Sequence, residues 1–195
     1  MKLISFNVRG LGSMLKRKEV GKLVREEQPD FLFLQETKLE KVDDDLGRTV
    51  WNSGEVGWVM KESIGASGGL MCFWNFWNKK SFAKTGDFSG DGYLRITGEW
   101  GIHKVKCNLV NVYGPNDRQR RLKLWDELKN MITEEGGRWL IAGDFNAVRC
   151  LEERRGRIGE RPDMKDFDVF IISVGLIDIK MANRCLHGTN WMVQP

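Results

Sequence analysis

Short apolar runs of strand length alternate with amphipathic helical segments along this chain, and this alternation restricts the fold more than any other feature. Residues 3–6 and 31–34 are apolar runs with the length of buried strands. Residues 16–27 predict a helix, because apolar side chains fall on one face at three- and four-residue spacing: Val20, Leu23 and Val24. Pro29 ends that helix.

The same two patterns continue through the rest of the sequence. Strand-like segments cover 56–60, 69–74, 93–100 and 104–112, with a hairpin turn at 100–102. Helix returns after Pro115 and stops at Gly136-Gly137, with an apolar stripe of Leu122, Trp125, Leu128 and Ile132. A strand at 139–142 and a third helical pattern follow, the latter carried by Met164, Phe167, Phe170 and Val174. This order predicts sheets covered by helices, an α/β-type sandwich.

Composition excludes several classes of protein. Hydrophobic residues make up 41% of the 195 residues, enough for a core, and nothing divides residues 1–195 into more than one domain. The four cysteines lie far apart, which argues against a zinc site and predicts buried thiols in a reducing compartment. No signal peptide or apolar membrane-spanning stretch is present, so we expect an intracellular, soluble protein with no membrane contact.

Polar side chains follow four of the apolar strands, at the point where each strand ends. They are Asn7, Glu36, Tyr113 and the pair Asp144 and Asn146. Since strand ends gather at one edge of a layered sheet protein, these residues can converge there. Hard oxygen ligands suit Mg²⁺ or Mn²⁺, and a metal ion with a carboxylate base and amide or phenol donors suits hydrolysis of a phosphate ester. Taken singly, each residue also fits a turn or a helix cap.

Four motifs, in order and spacing, resemble the endonuclease/exonuclease/phosphatase superfamily. They are Ser-Phe-Asn-Val-Arg-Gly-Leu (5–11), Phe-Leu-Gln-Glu-Thr-Lys (33–38), Asn-Val-Tyr-Gly-Pro (111–115) and Gly-Asp-Phe-Asn (143–146). Residues 68–75 and 156–178 are similar to one subgroup, the apurinic-type endonuclease domain of plant LINE-type (non-LTR) retrotransposons. The resemblance covers nearly the whole chain.

The resemblance implies a four-layered sandwich of two packed β-sheets flanked by helices, with the site at one edge. It implies that Glu36 is the principal ligand of Mg²⁺ or Mn²⁺ and that Asn7 is a second ligand or a water-bridged helper. It also implies that Asp144 orients or deprotonates the attacking water, Asn146 holds that water and the phosphate, and Tyr113 donates to a phosphate oxygen. No small-molecule cofactor is expected.

The sequence departs from the family pattern in its last part. The family's Arg/Ile-Asp-Arg and Ser-Asp-His elements are absent, and neither His103 nor His187 is expected to replace the family histidine. We therefore expect a domain that is incomplete at its C-terminus, lacks its last strands, and is impaired or inactive. Arg9 also stands where the apurinic-repair branch has an aspartate, which argues against abasic-site specificity.

Arginines cluster in two loops next to the expected site. The net charge of +4 permits a polyanionic partner without requiring one. We expect contacts with the DNA backbone from Arg118, Arg120, Arg121, Arg154, Arg155 and Arg157. Three functions remain open: a DNA-nicking endonuclease domain of retrotransposon origin, nuclear if functional; a non-catalytic remnant that at most binds nucleic acid; and a phosphatase acting on a small molecule.

Overall fold

A computed structural model describes residues 1–42, 45–51, 56–65, 67–75, 82–148, 162–179 and 189–193. The elements follow one another in the order β1 (Leu3–Asn7), α1 (Met14–Glu27), β2 (Phe31–Gln35), α2 (Asp45–Trp51), β3 (Val56–Ile64), β4 (Ser67–Asn75), β5 (Phe82–Gly90), β6 (Tyr93–Trp100), β7 (Val105–Tyr113), α3 (Arg118–Glu134), β8 (Arg138–Asp144), α4 (Pro162–Ser173), β9 (Ile177–Asp178) and β10 (Thr189–Val193). Within these ranges no helix is long and apolar enough to cross a membrane.

The strands form two mixed sheets. The first has the order β1-β2-β4-β3 and the second the order β5-β6-β7-β8-β10-β9. The pairs β1–β2 and β7–β8 are parallel, and helices α1 and α3 make the crossovers that parallel neighbours need. The carboxyl ends of each parallel pair therefore meet at one edge of their sheet.

Three apolar clusters separate four layers. One cluster lies between the two sheets, one joins α1 and α2 to the outer face of the first sheet, and one joins α3 and α4 to the outer face of the second. In the last cluster Trp125 of α3 stacks on Phe170 of α4 with ring centroids 5.1 Å apart. The predicted sandwich of two packed sheets flanked by helices is confirmed.

The helices begin and end where their sequences favour it. The Ser13 side chain caps α1 by accepting a hydrogen bond from the backbone N–H of Lys16, and Asp117 caps α3 in the same way through Arg120. The α1 helix ends at Glu27, and its C-cap Gln28 lies in the left-handed region, one residue before Pro29. The predicted helix over 16–27 thus begins two residues earlier, at Met14.

The inner faces of the sheets change from apolar to polar along their length. Side chains on one face of a strand alternate with a period of two, so each strand contributes a short series to the space between the sheets. Those series, written from the apolar end, are Leu3-Ser5-Asn7, Phe31-Phe33-Gln35, Leu109-Asn111-Tyr113 and Leu140-Ala142-Asp144. The sandwich interior therefore has an apolar body and a polar edge.

Candidate active site

The two sheets meet at this polar edge through one carboxamide. Asn7, the last residue of β1, donates from Nδ2 to Oε1 of Glu36 at 2.9 Å and to Oδ2 of Asp144 at 3.0 Å. Glu36 follows β2 of the same sheet, whereas Asp144 ends β8 of the other sheet. Asn7 therefore links two carboxylates that are 108 positions apart in the sequence and lie on different sheets.

Glu36 lies among donors and positive charges. The Tyr113 hydroxyl donates to Oε1 of Glu36 at 2.9 Å, so this oxygen accepts two hydrogen bonds. Burial raises the pKa of Glu36, but the hydrogen bonds from Asn7 and Tyr113 and the nearby charges of Lys38 and Arg9 outweigh it and leave the pKa below its usual range. Glu36 is accordingly ionised at neutral pH.

Asp144 experiences the opposite balance. Its burial raises the pKa, and the hydrogen bond from Asn7, the backbone N–H of Asn146 and the charge of Arg9 only partly offset this. The negative charge of Glu36 adds to the rise. The carboxylate of Asp144 is thus more basic than an exposed aspartate, which suits a group that takes a proton from water.

Tyr113 remains a proton donor over a wide pH range. Burial raises the pKa of its phenol, and the hydrogen bond and charge of Glu36 together with the charge of Asp144 raise it further. The phenol has one O–H, which it donates to Glu36, so it can donate to another acceptor only by leaving Glu36. A phosphate oxygen is an acceptor of that kind.

Two glycines allow the Gly-Asp-Phe-Asn turn to pass close to the neighbouring strand. A Cβ on Gly143, whose φ is +150°, would lie 2.0 Å from the carbonyl oxygen of Val112. A Cβ on Gly114 would lie 2.1 Å from the carbonyl oxygen of Phe145. The close approach lets Asn146 donate from Nδ2 to the carbonyl of Gly114 at 2.7 Å, which fixes its carboxamide beside the site.

A buried polar network supports the site from below. Gln35 is fully buried and donates from Nε2 to Oγ of Ser5 at 3.0 Å and to Oδ1 of Asn111 at 2.6 Å. Asn111 in turn donates to the backbone carbonyls of Leu34 and Met71. The network joins both sheets directly beneath the end of β2, and sequence reasoning did not assign it. Its only sequence signal is that Gln35 directly follows the apolar run 31–34 and that Asn111 lies between Val110 and Val112.

Left-handed backbone is concentrated at the site. Among the described residues six non-glycine positions have positive φ. Four of them are Glu36 itself or lie within two residues of Asn7, Glu36 or Asp144 in the sequence: Arg9 (50°), Glu36 (52°), Lys38 (54°) and Asn146 (50°). Each such residue costs about 1–2 kcal/mol relative to right-handed or extended backbone. Conformational strain of this kind accumulates where the positions of functional groups matter more than stability.

Two of the predicted DNA-contacting arginines are held by aspartates. Arg118 pairs with Asp166 of α4, with Nη2 and Oδ2 2.7 Å apart. Arg120 binds both carboxylate oxygens of Asp91 at 2.9 Å through Nη2. Each ion pair is exposed and joins the start of α3 to another element.

Arg121 lies inside the protein. It is 6% exposed, and its Nη1 donates to the carbonyl oxygens of Pro115 and Asn116 at 2.8 and 2.7 Å. In this conformation its guanidinium holds the turn before α3 and is not offered to a phosphate. Three further predicted positions lie outside the described residues: Arg154, Arg155 and Arg157.

Positive charge at the site itself comes from other positions. Arg9 and Lys38 each stand two residues after a site residue, Asn7 and Glu36, and both act on the pKa of Glu36. Sequence reasoning did not assign them a role, although this matched spacing was visible. His103 lies in the exposed turn between β6 and β7, at the opposite end of β7 from Tyr113, and His187 lies outside the described residues.

A groove of about 370 Å³ opens beside Tyr113. Lys61 of β3 lines it and donates from Nζ to the carbonyl oxygen of Gly90. Burial lowers the pKa of Lys61. The Arg120–Asp91 ion pair lies on the same wall, so the groove next to the site has both charged and backbone groups available to a polar ligand.

The donor set fits a hard divalent cation. Both hydrogen bonds to Glu36 go to Oε1, which leaves Oε2 without a donor among the described residues. All candidate ligands are oxygens, and no group of three or more His, Cys, Asp or Glu forms in the described part of the chain. The carboxamide of Asn7 points its nitrogen at the carboxylates and its oxygen at the backbone N–H of Arg9, 3.2 Å away. Asn7 must turn over before its oxygen can coordinate a metal directly.

The comparison with known sequences gives one family. The profile of the Endonuclease/Exonuclease/phosphatase family matches residues 4–182. No curated protein matches the chain. The matched segment contains all five residues of the site.

Solved structures of similar shape include three nucleases. An apurinic (AP) endonuclease from Leishmania major, LMAP, has a TM-score of 0.75 at 16% identity, with 99% of this chain and 78% of that chain covered. An AP endonuclease from Archaeoglobus fulgidus has a TM-score of 0.72 at 14% identity, covering 100% and 87%. A 3'-5' exonuclease from Neisseria meningitidis, NExo, has a TM-score of 0.71 at 17% identity, also covering 100% and 87%. At these identities the likeness shows the fold.

Proposed function

This chain belongs to the endonuclease/exonuclease/phosphatase family, and from that premise we propose that it is a divalent-metal-dependent phosphodiesterase that nicks DNA. The observation that carries the proposal is the Asn7 bridge between Glu36 and Asp144. It brings a carboxylate with a lowered pKa and a carboxylate with a raised pKa to the same edge, with Tyr113 and Asn146 beside them. In metal-assisted hydrolysis of a phosphodiester, the first kind of carboxylate can hold the cation and the second can accept a proton from water.

Each residue takes the role that its surroundings favour. Glu36 holds Mg²⁺ or Mn²⁺, and Asn7 assists through its oxygen or a bridging water; when bound, the cation supplies Lewis-acid charge to the phosphate. Asp144 takes a proton from the attacking water, whose oxygen bonds to phosphorus while the bond to the leaving oxygen breaks. Asn146 orients that water, and Tyr113 donates to a phosphate oxygen. Solvent protonates the leaving oxygen.

DNA is the proposed substrate. The AP endonucleases of similar fold support a nucleic acid over a small phosphate ester. The groove beside Tyr113 has room for a segment of the DNA strand that flanks the scissile phosphate. Arg118 and Arg120 lie in the first turn of α3, and Arg120 lines the groove. Arg154, Arg155 and Arg157 complete the proposed backbone contacts. No small-molecule cofactor takes part in this reaction.

We also propose that the chain descends from a retrotransposon and that its turnover is slow. The Gly-Gly-Leu segment at 68–70 and the Gly-Leu-Ile-Asp segment at 175–178 support descent from a LINE-type retrotransposon, with action in the nucleus. Because these 195 residues contain no Ser-Asp-His element, we expect slow turnover by this polypeptide. A reverse transcriptase reading frame beside the gene would support this origin. A solitary gene with introns of its own would contradict it.

Plasmid nicking tests the activity. We expect slow conversion of supercoiled plasmid to open circles in Mg²⁺ or Mn²⁺ and none in EDTA. Glu36→Gln should abolish nicking. It should also lower Mn²⁺ affinity, measured by calorimetry, at least about 10-fold, because losing a metal ligand reduces affinity at least as much as losing a residue that supports a ligand. The matched control is Glu40→Gln, an exposed glutamate four residues away. Equal Mn²⁺ binding and nicking by Glu36→Gln and the control would refute the assignment.

A further inference from the structure

The loop after β1 keeps backbone hydrogen bonds to the segment after β2, although its residue Arg9 has a left-handed conformation. The N–H of Val8 donates to the carbonyl of Gln35 at 3.0 Å, and the N–H of Gly10 donates to the carbonyl of Glu36 at 2.6 Å. Arg9 lies between these two bonds, directly beside Glu36. Both residues have left-handed φ, 50° and 52°, so the backbone departs from extended geometry just after the end of each strand.

Lys16 braces this strained loop. Its Nζ donates to the carbonyl oxygens of Val8 and Arg9, both at 3.0 Å, from the first turn of α1. The backbone N–H of Arg9 donates to Oδ1 of Asn7 at 3.2 Å. The loop is therefore held on both sides, and three hydrogen bonds oppose relaxation of Arg9 to ordinary backbone angles.

The guanidinium of Arg9 has no partner among the described residues. Its side chain is exposed, and no carboxylate in that part of the chain lies within ion-pair distance of it. Its charge nevertheless lowers the pKa of Glu36 and of Asp144. It thus lies near both carboxylates without contacting either, whereas Arg118 and Arg120 are paired with aspartates.

We propose that Arg9 is a catalytic residue that binds the non-bridging oxygens of the scissile phosphate. The inference rests on the proposed function and names a contact that the five-residue site lacks: a fixed positive charge on the substrate side. A guanidinium presents a planar fork of donors that matches two phosphate oxygens, and its charge remains at any working pH. Negative charge that grows on those oxygens during attack by water would be stabilised without a histidine.

Two substitutions on the same scaffold test this contact. Arg9→Met removes the charge and keeps much of the side chain, and Arg25→Met is the control, an exposed arginine on α1. Thermal unfolding should be similar for both variants and the wild type. We expect Arg9→Met to lower the nicking rate about 10²–10³-fold, as for removal of one transition-state donor. Arg9→Lys should recover part of that loss.

A substrate with a single phosphate distinguishes a contact of Arg9 with the scissile phosphate from a contact with a flanking phosphate of DNA. Bis(p-nitrophenyl) phosphate has no flanking phosphate, so a scissile contact predicts the same fold loss on this diester as on plasmid. A loss confined to DNA, or no loss on either substrate, would overturn the proposal for Arg9 while the wild-type activity stands.

DNA binding without metal gives a readout that does not depend on turnover. For a short duplex, Arg9→Met should reduce the slope of log affinity against log salt by about 0.9, and Arg25→Met should leave it unchanged. If the wild type hydrolyses nothing but this difference holds, the proposed function fails and the phosphate contact of Arg9 stands. Identical slopes for wild type and Arg9→Met would overturn the contact itself.

Discussion

Each sheet brings one carboxylate to the site, and the protein shifts the two in opposite directions. Glu36, after β2 of the first sheet, has a pKa below its usual range, because donors and positive charges outweigh its burial. Asp144, at the end of β8 of the second sheet, has a pKa above its usual range, because burial and the Glu36 charge outweigh its donors. Although both accept from Asn7, one is suited to holding a cation and the other to accepting a proton.

The comparison shows how similar residues acquire different roles. The two carboxylates differ in the groups around them. Glu36 accepts from the Tyr113 phenol and lies near the charged side chains of Lys38 and Arg9. Asp144 accepts from a backbone N–H and is more deeply buried. The surroundings of each carboxyl group therefore set its pKa and, through the pKa, the role for which it is suited.

The largest expected effect is that of Asp144→Asn. It keeps the shape of the side chain and removes the base, so we expect the nicking rate to fall about 10³-fold. Stability should move the other way. Because the folded-state pKa of Asp144 is raised, this group favours folding at low pH, and that contribution is lost as pH rises through the folded pKa.

At neutral pH the ionised Asp144 opposes folding, so Asp144→Asn should unfold at a temperature equal to or above that of the wild type. Asp126→Asn, an exposed aspartate of α3, is the control for both measurements. A variant that is destabilised and keeps its rate would mean that Asp144 is structural and that the division between the two carboxylates is wrong.

Tyr113→Phe should have the next largest effect. It removes the donor that Glu36 and the substrate phosphate share, and we expect a rate loss of about 10²-fold. The pKa of Glu36 should rise towards its ordinary value, because the lost hydrogen bond favoured the ionised form.

The chain contains one matched control for Tyr113→Phe. Tyr93, the only other tyrosine, donates to Glu127 on the far side of the second sheet from the site and also has a pKa raised by burial. Tyr93→Phe should keep the rate within a few-fold. If both variants lose activity equally, the effect comes from the sheet and not from the contact with Glu36.

The smallest expected effect concerns the paired arginines. Asp91→Asn releases Arg120 from its ion pair, which should tighten DNA binding a few-fold at low salt and less at high salt. Asp87→Asn on β5 removes the same charge from the same sheet without freeing an arginine of the groove. Equal affinities for the two variants would show that Arg120 does not reach the DNA.

Sequence patterns predict those elements whose signal is local. The stripe of α3 and the strands over β6 and β7 are found within one or two residues, because α3 has a periodic apolar stripe and both strands contain runs of buried residues bounded by turns. The patterns missed α2, which has only seven residues, and β5, in which Phe82 alone is fully buried. Short helices and exposed edge strands carry too few apolar positions to reveal a period.

The site was accessible to the same reasoning only in part. Asn7, Glu36, Tyr113 and Asp144 lie at the ends of strands in two parallel pairs, and parallel pairing brings such ends together. The partners of the arginines were not accessible, since Arg118 and Asp166 are 48 positions apart and Arg120 and Asp91 are 29 apart. Contacts at such separations depend on the fold, and the number of arginines in a loop does not reveal them.

The orientation of Asn7 is the clearest case of information that the sequence lacks. The type of residue predicts an oxygen ligand, but in the structure the nitrogen faces both carboxylates and the oxygen faces the loop of Arg9. Two ionised acceptors near one carboxamide require its donor side. The orientation of the Asn7 carboxamide therefore depends on the contact between the two sheets, which no local sequence pattern reveals.

The most direct test of the account is a ¹³C NMR titration of the carboxyl carbons of Glu36 and Asp144 in the metal-free protein. The environments described above predict that Glu36 titrates below the usual range for glutamate and that Asp144 titrates above the usual range for aspartate. Because the hydrogen bonds from Asn7 lower the pKa of both carboxyls, Asn7→Ala should raise both pKa values. A pKa of Asp144 at or below the usual aspartate value, or a pKa of Glu36 at or above the usual glutamate value, would contradict the division of roles on which the proposed mechanism depends.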